Sequence, residues 1–136
     1  MNTGIEQRGA RMALIWIKIA VTYLAIGVVF GLVMGITHTF QYIPVHAHIN
    51  LLGWATLALA GVIYHLFPGA GGHWLGIAHF WLHNLGLPVF MIGLYAMLAG
   101  HAGAMPIVIV GATVAVLGIL CFAVNLYMNL KLLQSA

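Results

Sequence analysis

The chain has 136 residues, of which 64% are hydrophobic and 4% charged, with four Lys plus Arg and a single acidic residue, Glu6. Soluble domains carry about 25% charged residues, so this composition excludes a soluble globular domain and places the chain in a lipid bilayer. The formal charge of +3 rests on too few groups to imply a nucleic-acid partner, whereas eight His, more than all Asp, Glu, Lys and Arg together, ask for a chemical explanation.

The first apolar run covers residues 12–36, and at ~1.5 Å per residue it crosses the ~30 Å hydrocarbon core with room for tilt. It is too long for a cleaved signal peptide and shows no small-residue cleavage site, so it is expected to belong to the mature protein. Arg8, Arg11 and Lys18 flank or enter it, with Lys18 snorkelling toward their side. Gly27, Gly31 and Gly35, four residues apart, mark a face for close packing within or between chains.

The second run, 44–67, opens on Pro44, which suits the first turn of a helix. It carries His46-Ala47-His48-Ile49-Asn50-Leu51-Leu52-Gly53-Trp54 and ends on Tyr64-His65-Leu66-Phe67-Pro68. Residues two apart sit ~200° apart around a helix, so His46 and His48 are expected on opposite faces. They then serve different sites, or one site and one supporting contact.

The third run, 74–98, contains His79 and His83, four apart and therefore on one face. Two such imidazoles can converge on a small ion such as zinc or copper, with His65 at a similar depth as third ligand. The fourth run, 106–128, holds the lone Cys121, expected as a small apolar residue. Met34, Met91 and Met97 are expected to fill the core, and Asn50, Asn84, Asn125 and Asn129 to bond between helices.

The connections 37–43, 69–73 and 99–105 are short, which makes successive helices antiparallel neighbours. The expectation is an all-α, membrane-spanning four-helix bundle forming one domain over 1–136. Lys and Arg occur only before the first helix, at its start and after the last, at Lys131, so both termini are expected in the cytoplasm, in a bacterial inner membrane. His38, His46, His48 and His101 then form an outer layer and His65, His73, His79 and His83 an inner one. His48 and His65 are ~25 Å apart along a helix and cannot share an ion. His38, His73 and His101 fall in turns and read as ordinary loop residues.

His48-x-Asn50-Leu51-Leu52, Trp54, Gly61, Tyr64 and Pro68 together resemble the second transmembrane helix of the catalytic subunit of heme-copper oxidases, above all its nitric oxide reductase branch. Phe80-Trp81-Leu82 resembles the family less specifically. The resemblance implies that His48 is an axial ligand of a heme b. His46-x-His48 also resembles another helix of that family, in which two His bind hemes on opposite faces, and this makes His46 the second candidate. The family's catalytic subunit has about a dozen helices in three arcs of four, and this chain would cover one arc, without the copper-binding His cluster. A homotrimer would rebuild the twelve-helix outline, with His46 of one chain and His48 of the next facing a shared pocket.

The function expected from the resemblance is heme b-dependent electron transfer or diatomic-gas chemistry, as an oxidoreductase or with a redox partner protein. The alternative from another class is a protein that handles copper or zinc through its His clusters without redox turnover; a purely structural subunit of a respiratory complex is a third.

Overall fold

The computed structural model describes residues 3–130, and these are helical throughout apart from short turns, with no strand among them. Four helical stretches are long and apolar enough to cross a membrane: Gln7–Thr37, Phe40–Leu66, Trp74–Leu98 and Ala102–Asn129. The chain is thus an integral membrane protein by length and composition. Lys131, one of the cations used to orient it, lies outside the described residues.

Helix α1 spans Thr3–Thr37 and so begins well before the hydropathy boundary at residue 12. Its polar first turns carry Arg8 and Arg11 and are held by tertiary packing: Gly9 lies directly against the Pro68 backbone, where any Cβ would collide. The second span is composite. An α-helical turn, α2 (Ile43–His48), passes into a π-helical stretch, Ile49–Ala55, and then into α3 (Thr56–Leu66). Pro44 sits in the first turn of α2, as expected. The wide turn closes on Leu51, whose carbonyl accepts from both the Thr56 N–H and, at 2.7 Å, the Thr56 hydroxyl. π-Turns are rare and gather at functional sites.

The expected loop after this span folds into a short helix, α4 (Pro68–Gly72), started by a proline whose missing N–H costs nothing there. His73 caps α5 (Trp74–Leu98), its Nδ1 accepting from the Leu75 N–H at 3.3 Å. The last helix is α6 (Met105–Asn129).

The helices associate as two hairpins, α1 with α3 and α4, and α5 with α6. Close packing in a bilayer favours small residues because lipid gives apolar side chains no drive to associate. The α5–α6 seam follows that rule with glycines seven apart on both helices. Gly86 faces Ala115, Gly93 faces Val108, Gly111 faces Phe90 and Gly118 faces His83, each against backbone.

The long helices of the two hairpins stay apart: among the described residues no Cα of α1 or α3 comes within 8 Å of α5 or α6, and only the short α2 and α4 and the turns beside them approach more closely. Large side chains fill the gap, namely Trp16, Leu57, Tyr64 and His79, with Phe80 and Phe122 against them. A second cluster, Val45, Ile49, Leu87, Met91 and Leu94, joins α2 to α5 nearer the other end. The outer faces are apolar and exposed, as at Leu14, Val28, Leu32, Ile109 and Val116, which suits contact with lipid chains.

Candidate functional site

The histidines of the second span point to different neighbours. His46 turns toward α1: a Cβ on Gly31 would meet its Cε1 at 2.7 Å, and the Phe30 ring lies 6.4 Å away between centroids. Asn50, one turn on, is seated by Gly27 in the same way and donates from Nδ2 to the His46 carbonyl at 2.8 Å. The stripe Gly27, Gly31 is therefore a seat for polar side chains of the second span, while Gly35 meets nothing within 4 Å.

His48 turns the other way, toward α5, with its ring edge-on to Phe90 at 5.0 Å. Its Nδ1–H donates to the Pro44 carbonyl at 2.7 Å, which fixes the tautomer and leaves the Nε2 lone pair free. A cavity of about 260 Å³ opens beside it, lined by His48, Leu52, His83, Phe90, Ala112, Ala115, Val116 and Ile119. An imidazole anchored at one nitrogen by a carbonyl, with the other free beside an apolar cavity, offers a lone pair in a fixed direction.

The inner layer is a buried polar cluster. His79 and His83 have no exposed surface, and their ring centroids are 5.5 Å apart. His83 Nε2–H donates to the Leu52 carbonyl at 3.1 Å, across from α5 to the π-helical stretch. His79 Nδ1 lies 3.0 Å from the Tyr64 hydroxyl, and Asn125 donates to that same oxygen at 3.3 Å and to the Ala70 carbonyl at 2.9 Å. Asn129 continues the chain by donating to Asn125 Oδ1 at 2.9 Å. Trp16 covers the pair from α1, its ring 4.5 Å from that of His79 and 6.0 Å from that of His83.

His79 and His83 thus come together as their spacing predicts, but His65 does not join them in burial: it is exposed at the end of α3. Among the described residues no three His, Cys, Asp or Glu side chains form a group able to hold a metal ion. His38 and His101 are exposed in turns, and His73 is occupied as a cap. Of the four asparagines from Asn50 onward, Asn125 and Asn129 reach other elements. Asn50 and Asn84 instead bond carbonyls one turn back on their own helix, which is the nearest acceptor for a short amide facing lipid or small residues.

Sequence reading missed Trp16 and the roles of Tyr64 and Asn125 beside the histidine pair. Only their common inner depth hinted at a cluster, and depth does not say which faces meet. No family model, curated protein or solved structure matches the chain.

Proposed function

We propose that the protein is a heme b-binding membrane protein working in electron transfer or diatomic-gas chemistry, with His48 Nε2 as iron ligand. The observation that carries this reading is the His48 imidazole itself: Nδ1–H bonded to the Pro44 carbonyl, Nε2 free, and an apolar cavity alongside. Membrane-embedded imidazoles are costly unless used, and a carbonyl on the far nitrogen is the usual support of a metal-ligating His. The heme, when bound, supplies a one-electron couple or a site for a diatomic ligand. The protein's part is to orient the imidazole, exclude water with Leu52, Phe90, Val116 and Ile119, and hold the macrocycle against those walls.

The cavity of about 260 Å³ lies below the ~300–1,000 Å³ of pockets that enclose drug-sized ligands. A porphyrin held there would extend past this chain, and a second copy would be the cover for its other face. His83 shares the cavity wall, buried with Nε2 committed to the Leu52 carbonyl, and His46, on the opposite face of the same span, would be the candidate second ligand if a neighbouring copy supplies one. A trimer with both termini cytoplasmic, in a bacterial inner membrane and served by a redox partner, is the assembly this reading favours.

The test is an absorption spectrum of detergent-purified protein. A Soret band is expected, lost in His48→Ala while the variant still inserts. Undiminished heme in that variant overturns the assignment, and a monomer with an intact bis-His spectrum overturns the shared pocket.

A further inference from the structure

The second span changes pitch directly after its histidines. His48 is the last α-helical residue before the wide turn, and the π-helical stretch Ile49–Ala55 separates it from α3. A π-turn takes in one residue more than the α-turn it replaces, and one residue is ~100° of an α-helix. The wide turn therefore sets the direction of His46 and His48 relative to everything further along the span.

Each side of the turn is held by contacts of its own. Before it, the His46 ring packs on Gly31 of α1 and the His48 ring stands edge-on to Phe90 of α5. After it, Gly61 lies against Trp16 and Ile17, and the Tyr64 hydroxyl donates to His79 Nδ1 at 3.0 Å. An unbroken α-helix through the same residues would rotate one set against the other by about 100°, so the two coexist only while the wide turn persists.

Returning to α-turns after a wider one passes over a single carbonyl, which in an apolar medium must find another donor. The Leu51 carbonyl takes the Thr56 N–H five residues on, and the next carbonyl, that of Leu52, takes the ring N–H of His83 from α5 at 3.1 Å. His83 has no exposed surface, and Gly118 of α6 closes on its backbone. We propose that His83 is a positioning residue: its Nε2–H, given to the Leu52 carbonyl, maintains the wide turn and so aims His48 at its cavity and His46 at α1. What His48 does there rests on the heme reading; where its ring points does not.

Solid-state NMR of the full chain in lipid bilayers, with nitrogen- and carbon-labelled residues, reads three contacts: His83 Nε2 to the Leu52 carbonyl, His46 to Gly31, and Tyr64 to His79. The natural chain should show all three, and His83→Leu should lose at least one of the last two. His83→Gln, whose amide N–H can stand where the imidazole N–H does, should keep both. Deleting Leu51, an exposed residue, from the His83→Leu chain should restore both, because one residue fewer lets an ordinary α-helix keep the same faces. In heme-loaded protein the Soret band should weaken or shift in His83→Leu and return on the deletion. A natural chain without heme removes the ligand reading and leaves the contacts to decide this one. Absence of the His83–Leu52 contact in the natural chain, survival of both other contacts in folded His83→Leu, or a deletion that fails to restore them overturns the proposal. Where His83→Leu does not fold, recovery of folding on the deletion supports it and failure to recover overturns it.

Discussion

Replacing Gly118 by Ala tests whether the α5–α6 seam fixes the position of His83. A Cβ at 118 would meet the His83 N at 2.9 Å and its Cα and Cβ at 3.3 Å, where ordinary contact begins near 3.4 Å. These are mostly backbone atoms of another helix, which cannot rotate aside, so α6 must withdraw by roughly 0.5 Å along a seam packed at crystal-like density. That withdrawal loosens the neighbouring approaches of Gly86 to Ala115 and Gly111 to Phe90. Overpacking of this kind costs about 1–3 kcal/mol, and contact with backbone argues for the upper half. Against it stands a gain of about 1 kcal/mol from alanine's better helix propensity. The overpacking wins, for a net loss of about 1–2 kcal/mol. Gly35→Ala is the control, since nothing lies within 4 Å of that position and only the propensity gain remains. Reversible unfolding in mixed detergent micelles, followed by helical circular dichroism, should rank Gly35→Ala above the natural chain and Gly118→Ala below it. A Gly118→Ala protein as stable as the natural one would refute the close approach.

Asn125→Leu should destabilise by about 1–3 kcal/mol, because it removes the buried bonds to the Ala70 carbonyl and the Tyr64 oxygen and the acceptor of Asn129, while the Ala70 carbonyl keeps the His73 N–H and Tyr64 its contact with His79; the same unfolding assay reads it. Asn129→Leu should cost less, its amide being only half-buried and its partners His73 and Asn125 retaining other bonds. Gly31→Val should displace the His46 ring that packs on it and, if His46 ligates across the subunit boundary, shift the heme spectrum toward a five-coordinate form without loss of the pigment. Coexpressed His46→Ala and His48→Ala chains, analysed by native mass spectrometry, should form mixed trimers that retain part of the heme.

The four spans were legible in the sequence because hydropathy and length are local properties, and a bilayer demands that each span satisfy its own backbone. Periodicity alone placed His46 and His48 toward different neighbours and His79 with His83 on one face, since helical geometry fixes relative direction within one element. The sequence could not say which faces of different helices meet. Bringing Trp16 over the histidine pair, leaving His65 outside it and threading Asn125 to Tyr64 depend on how far the two hairpins stand apart, and that distance follows from which large side chains wedge between them. The π-helical stretch Ile49–Ala55 was equally hidden: its residues are as apolar as an ordinary helix turn would need. It is tied in place by bonds at Leu51 and Leu52, one to Thr56 on the same span and one to His83 on α5. Composition thus determined where the chain lives, and packing between helices decided which of its eight histidines can act together.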